Sequence, residues 1–200
     1  MLSKNTVMEN HKLAFESKKI AAWFLLPYAT MQKLCLFLVL LVFIMGCRGE
    51  GPGFEMRYQR DFEIPAGLGV FDTHVFELNG IQSNKAAFLT ANGVLEEDIT
   101  EIIPQNAQLS VNFANVEFLF VREVIVEIFT RDEIRGREIF FREEIPQNTG
   151  IRINLIPSLP DVKDLILQDE FNIRIEMKLR DISPQFIETR FDFEFFAKVN

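Results

Sequence analysis

Cysteine and histidine are nearly missing from this 200-residue chain, which has two of each. Both cysteines, Cys35 and Cys47, precede the part of the sequence that looks foldable, so a disulfide framework for the body is excluded. Beyond position 47 the only histidine is His74. Common structural zinc sites and Cys–His nucleophile pairs therefore lack ligands there. Basic charge is also short: residues 1–46 hold five Lys against two Glu, so a total of −8 leaves −11 for the rest. That balance argues against nucleic acid, or an anionic lipid surface, as a charge-driven partner. The chain also lacks an uninterrupted apolar run of the roughly 20 residues needed to cross the hydrocarbon core of a bilayer.

Phenylalanine is abundant, with 21 residues against two tyrosines and one tryptophan. Together with frequent Ile and Val, it favours pleated, half-buried surfaces over helices. An apolar fraction of 48% with ten Gly and eight Pro makes one ordinary domain with a tail the expected organisation.

The tail contains MQKLCLFLVLLVFIMGC, Met31 to Cys47. Its apolar run, Leu34 to Met45, has the length of a signal-peptide core, with Lys33 supplying the preceding charge and Gly46 the small residue after it. Ile44-Met45-Gly46-Cys47 resembles the lipobox of bacterial prolipoproteins: Ile44 and Gly46 match, while Met45 stands where a small residue is commoner. The resemblance implies cleavage between Gly46 and Cys47, a diacylglycerol on the Cys47 thiol and an acylated new amino group. It also implies an address in the bacterial cell envelope, at the outer membrane. Two or three acyl chains anchor stably, because each buried CH₂ contributes about 0.8 kcal/mol. A second apolar patch, Ile20 to Ala29, lies upstream. A continuous span over 20–46 would bury Lys33 near its middle, at about 2.5–3.5 kcal/mol, so translation from Met31 is the expectation. The expected organisation is upstream residues and signal peptide over 1–46, lipidated Cys47 with a flexible tether over 47–53, and a β domain over 54–200.

Alternation begins with that domain. Phe54, Met56, Tyr58, Phe62 and Ile64 share one face of a predicted strand, with Glu55, Arg57, Gln59, Asp61 and Glu63 on the other. Further strands are predicted over Thr73–Leu78, Ile99–Ile103, Ala107–Phe113, Val116–Thr130 (bent or divided near Arg122), Glu138–Arg142, Ile151–Leu155, Phe171–Leu179 and Phe186–Phe196. Short helices are predicted over Asn84–Leu89, capped by Ser83 and closed by Asn92-Gly93, and over Pro160–Leu167. Two hairpins are expected, one through Gly136 and one through Ser183-Pro184. Seven to nine one-sided strands predict an all-β, antiparallel β-sandwich, similar in general pattern to the immunoglobulin-like domains of envelope lipoproteins. A closed barrel with a Phe-lined cavity for an apolar ligand is the alternative.

Few residues suggest chemistry. Asp72 and His74 are two apart on a predicted strand, which would let the carboxylate orient the imidazole as a base. None of Ser83, Ser110, Ser158 or Ser183 lies in a nucleophile elbow. Glu96-Glu97-Asp98 lacks the spacing of a calcium loop, and the neighbours in Glu143-Glu144 and Asp169-Glu170 point to opposite faces. Phe191, Phe193 and Phe195 share a face that suits a core or an aromatic platform. Phe140 and Phe196 break alternation, marking either a second buried face or an exposed contact patch. EIIPQNAQLSVN (Glu101–Asn112) and EEIPQNTGIRIN (Glu143–Asn154) echo each other, as two similar turns or a duplicated sheet half. The expected function is non-catalytic: a binding or structural module without cofactor or metal, held at the membrane through Cys47 and facing an envelope protein or surface ligand. A carrier of an apolar ligand, or a hydrolase using His74, is the alternative.

Overall fold

Residues 52–112, 116–133 and 135–200 are described by a computed structural model. The predicted leader, its cleavage site at Gly46 and the lipidation of Cys47 lie outside the described residues. In chain order the elements are β1 (Gly53–Ile64), β2 (Thr73–Gln82), α1 (Lys85–Asn92), β3 (Ile99–Val111), β4 (Val121–Phe129), β5 (Arg137–Arg142), β6 (Arg152–Pro157), α2 (Lys163–Ile166), β7 (Glu170–Leu179) and β8 (Ile187–Val199). Single 3-10 turns occupy Glu96–Asp98 and Phe118–Phe120.

The strands are ordered β1-β8-β3-β6-β5-β4-β7-β2 in one eight-stranded, antiparallel sheet. Pairs β1·β8, β2·β7, β3·β6 and β4·β5 are nested like the rungs of one long hairpin. Rolling that hairpin up adds the β3·β8 and β4·β7 ladders, and the short β5·β6 pairing joins the two halves. This is the strand order of a jelly roll. The antiparallel, all-β class with short helices is as predicted, but the order is not that of an immunoglobulin-like sandwich. The expected C-terminal hairpin is corrected as well: β7 pairs with β2 and β4, whereas β8 pairs with β1 and β3. Period two tells which face of a strand is buried, and is silent about its neighbours.

The faces are as the alternation requires. Phe171, Ile173, Ile175, Met177 and Leu179 of β7 are buried, as are Ile187, Phe191, Phe193 and Phe195 of β8. Phe191 and Phe193 stack at 4.6 Å between ring centroids, and Phe195 meets Phe193 edge-on at 5.9 Å. Phe140 of β5 reaches Phe191 and Phe195 at 6.5 and 6.3 Å, and Phe171 of β7 meets Phe193 and Phe195 at 6.4 Å. Phenylalanine thus bridges the two halves of the sheet. Each fully buried ring contributes about 1.5–3 kcal/mol by burial alone. Tyr58 stacks on Phe193 at 5.4 Å and donates its hydroxyl hydrogen to the Ser83 carbonyl at 2.7 Å. Burial pushes the Tyr58 hydroxyl pKa well above its usual value.

Three local differences have physical causes. The strands predicted over Ile99–Ile103 and Ala107–Phe113 are one strand, β3, whose ladder slips between Pro104 and Asn106. Proline cannot donate to the ladder, and the bulge absorbs the gap. The echoed Pro146-Gln147-Asn148 lies in the β5–β6 loop, so the two echoes occupy unlike structures. The first helix is not capped by Ser83, which is buried; it is entered through Asn84 at φ 50 without a side-chain cap, and it is closed by Gly93 at φ 65 as predicted.

Candidate functional site

The eight strands carry two sets of connections, one at each end of the barrel. The tether end holds Gly53, the last residues of β8, α1, α2 and the β4–β5 loop. The opposite end gathers four loops, β1–β2 (65–72), β3–β4 (112 and 116–120 of it described), β5–β6 (143–151) and β7–β8 (180–186).

Two side chains fasten those four loops together. Ser183 is 1% exposed; its hydroxyl donates to the Pro65 carbonyl at 2.7 Å and accepts from the Leu68 N–H at 2.9 Å. Its backbone exchanges two further bonds with Gly67 and Leu68, closing the β7–β8 loop onto the β1–β2 loop. Arg180 donates to the Val121 carbonyl at 3.1 Å and to the Ile145 carbonyl, tying in β4 and the β5–β6 loop. The Phe118 N–H bonds Gly150 O at 2.8 Å and completes the ring of loops.

What this frame displays is apolar. Phe71 is 98% exposed, and Leu119, Ile151, Ile182 and Phe186 are between 43 and 58% exposed. A groove of about 780 Å³ runs between Leu119, Phe120, Ile182 and Pro184, with Gln147 and Arg180 in its wall. Around it the loops carry Asp72, Glu117, Glu143, Glu144 and Asp181, all exposed. Among the described residues none of these five forms an ion pair. Arg180, the one basic residue in these loops, is turned toward carbonyl oxygens, and Arg122, Arg142 and Arg152 stand on the adjoining strand ends without an ion pair among the described residues.

The expected contact pair is placed differently. Phe140 is fully buried, because a bulge opposite Val126 and Glu127 turns both Ile139 and Phe140 inward. Phe196 is on the outer face of β8 but only 9% exposed. Its ring lies over Gly53, where an added Cβ would sit 2.5 Å from the ring and 2.4 Å from the Ala197 carbonyl. Neither side chain offers an exposed contact patch. Phe191, Phe193 and Phe195 are core, not platform.

His74 and Asp72 do not work together. The His74 ring nitrogen Nε2 donates to the Gly69 carbonyl at 2.7 Å, while Asp72 is exposed. Ser158 donates to Glu138 at 2.7 Å, and no hydrogen bond joins His74 to Ser83, Ser110, Ser158 or Ser183 among the described residues. Glu96-Glu97-Asp98 forms a 3-10 turn in which Asp98 accepts from the Leu95 N–H and Glu96 faces Lys85 at 3.6 Å. No group of three or more potential metal ligands is found among the described residues. Arg180 and the exposed apolar side chains have no distinctive sequence signal: Leu119, Ile151 and Phe186 fall within predicted strands, and Phe71, Arg180 and Ile182 within predicted connections.

No family model matches the chain, and no curated protein does. Similar solved structures include Desmodium yellow mottle tymovirus, 10% identical with a TM-score of 0.26, the match covering 76% of this chain and 91% of that one. A Nora virus structure is 10% identical with a TM-score of 0.32, covering 76% of this chain and 62% of that one. A decameric BFDV capsid protein is 8% identical with a TM-score of 0.32, covering 74% and 99%. Likenesses this distant carry nothing about what this chain does.

Proposed function

We propose that this chain is a bacterial lipoprotein, anchored in the outer membrane through acyl chains on Cys47, whose β domain is a non-catalytic binding module. The observation that carries the reading is Ile44-Met45-Gly46-Cys47 at the end of a twelve-residue apolar run, followed after five residues by the first strand. Val199 N–H bonds the Pro52 carbonyl at 2.8 Å, so the barrel is fastened where the tether enters. The reading is further supported by what the interior offers. The inward rings pack on one another at 4.6–6.5 Å, filling the space a carrier's ligand would take. His74 is committed to a backbone carbonyl.

Expressed as the full chain in a bacterial host fed an alkyne-tagged fatty acid, the wild type is expected to take up label and lose residues 1–46. Cys47→Ser is expected to remain unlabelled and either uncut or released from the membrane. A wild type that carries no acyl chain and keeps residues 31–46 overturns the anchor.

A further inference from the structure

Two strands of the sheet pair on one side only. β1 is bonded to β8 and β2 to β7, and among the described residues no ladder joins β1 to β2. An edge strand offers a row of main-chain N–H and C=O groups to any strand that can lie beside it, and charged side chains or proline are the usual guard. The two edges differ in that guard. β1 carries Glu55, Arg57, Arg60, Asp61 and Glu63, all exposed except the half-buried Arg60. β2 carries one charged residue, Glu77, and Arg174 of β7 already pairs with it at 3.3 Å. No Lys, Arg or Pro stands between Thr73 and Gln82. Up to the bulge after Leu78, the exposed face of β2 consists of Thr73, Val75 and Glu77, with Val75 52% exposed.

We propose that the β2 edge is a self-association surface, where β2 pairs antiparallel with β2 of a second copy about a two-fold axis at Val75. A continuous sheet keeps its exposed face on one side, so the odd-numbered Thr73, Val75 and Glu77 can be opposed only by one another. The register centred on Val75 sets apolar against apolar, Val75 on the partner's Val75, and places Thr73 against the partner's Glu77. The edge's one acid thus meets a hydroxyl, and no like charges are opposed. Glu176 lies beside Val75 on β7, so the two copies of Glu176 would stand three strand spacings apart. That is about 14 Å, beyond the screening length of about 8 Å at physiological salt. Pairing like edges uses up both bare edges and closes on itself, whereas β2 on β1 of another copy would repeat without closing. Six residues a side, Thr73 to Leu78, is a small contact, so the dimer is reversible. The pairing goes beyond the reading of the domain as an anchored module and does not depend on Cys47.

The test uses the full chain in detergent, with micelles in large excess over protein. By sedimentation equilibrium the wild type is expected to self-associate. Val75→Lys opposes two ammonium groups across the axis and is expected to weaken association at least tenfold, while Val75→Ile retains it. Gln59→Lys, on the other edge, is expected to leave it unchanged. Urea midpoints near that of the wild type show that these exposed-face variants fold. A thiol probe reads the register: with a short bis-maleimide, Val75→Cys is expected to couple through position 75 of both copies, and Gln59→Cys to couple no more than the wild type with its native Cys35 and Cys47. A wild type that stays monomeric at the highest concentration reached overturns the proposal. So does association unmoved by Val75→Lys, or coupling through position 59 in place of 75. Repeating the comparison in Cys47→Ser separates the two readings: a dimer that needs the acyl chain overturns the edge pairing and leaves the anchor standing.

Discussion

The two ends of the barrel use their basic side chains differently. At the tether end Arg137 reaches Asp164 at 2.5 Å and Glu133 at 2.8 Å, Arg131 reaches Glu170 at 3.1 Å, and Lys85 faces Glu96 at 3.6 Å. Lys85 and Lys163 also donate to the Leu167 and Ile99 carbonyls. Among the described residues, the large exposed apolar side chains in its connections are Leu95 and Leu159. At the four-loop end Arg180 is spent on backbone, neither the five loop carboxylates nor Arg122, Arg142 and Arg152 on the adjoining strand ends form an ion pair among the described residues, and five large apolar groups face solvent. The tether end pairs part of its charge within itself, leaving Glu97, Asp132 and Asp169 exposed without an ion pair among the described residues. The other holds its loops by hydrogen bonds to the main chain and leaves five apolar side chains exposed.

The contrast is open to direct attack, beginning with Arg180. Arg180→Met keeps the apolar stem but strands the Val121 and Ile145 carbonyls. Hydrogen bonds from a charged donor are worth about 1.5–3 kcal/mol each, and the loss of two should cost about 3 kcal/mol or more. Urea denaturation of the full chain is expected to show a clearly lowered midpoint, and hydrogen exchange should rise first at Ile145 and Phe118. If Arg180→Met is as stable as the wild type, the four-loop end is not a held frame.

Ser183→Ala tests the other fastening with a smaller change. The hydroxyl's two bonds are lost, leaving the Leu68 N–H and the Pro65 carbonyl without that partner. The expected cost is about 1–3 kcal/mol, concentrated in exchange protection of residues 65–68. A midpoint equal to that of the wild type would mean that water replaces the hydroxyl and that this loop pair is not closed.

Much of the framework was legible before any coordinates, and the limits are physical. Alternation, strict in Phe171–Leu179 and interrupted only by Arg60 in Phe54–Ile64 and by Phe186 and Phe196 in Phe186–Phe196, identified both faces of β1, β7 and β8, because a one-sided strand has no other way to bury Phe and expose Glu. Pairing was not legible. A Ser183-Pro184 turn is as compatible with a hairpin as with a crossing between sheet halves, and the crossing is settled by ladders to β1, β2, β3 and β4. The Phe140 anomaly was visible but ambiguous, since a bulge and an exposed patch break alternation alike. The four-loop end was invisible because its members, from Phe71 to Phe186, are scattered over more than a hundred positions and meet only through topology. Serine was weighed there as a nucleophile, when its role is to bond main chain.

At the tether end, Tyr58→Phe should have an intermediate effect. It removes a bond to the Ser83 carbonyl beneath α1, at an expected cost of about 1 kcal/mol, leaving the ring stack on Phe193 intact. The variant also has a pH signature. Because burial raises the folded Tyr58 pKa above the unfolded value near 10, its contribution is fully present below pH 10 and declines above it. Wild-type stability should therefore fall above pH 10 by more than that of Tyr58→Phe. Parallel alkaline curves would show that the hydroxyl is not sealed in the core.

The smallest effect is expected where the charges are already paired. Arg137→Met removes two ion pairs whose partners, Asp164 and Glu133, are 60% and 39% exposed, so at neutral pH the cost should be about 1 kcal/mol. The hydrogen bond from Arg137 holds the Asp164 carboxyl below its usual range. A depressed carboxyl contributes its stabilisation above the unfolded pKa, near 4, and loses it as pH falls through the lower folded value. The gap between wild type and Arg137→Met is thus expected to be constant from pH 7 to about 5 and to close below about 4. Asp61, held low by Arg190, has the same sign in both proteins and cancels in the difference. Urea midpoints at pH 7, 5, 4 and 3 would check this. A neutral-pH loss as large as that of Arg180→Met, unchanged in acid, would place the structural burden of the tether end on Arg137 itself and erase the distinction between the two ends.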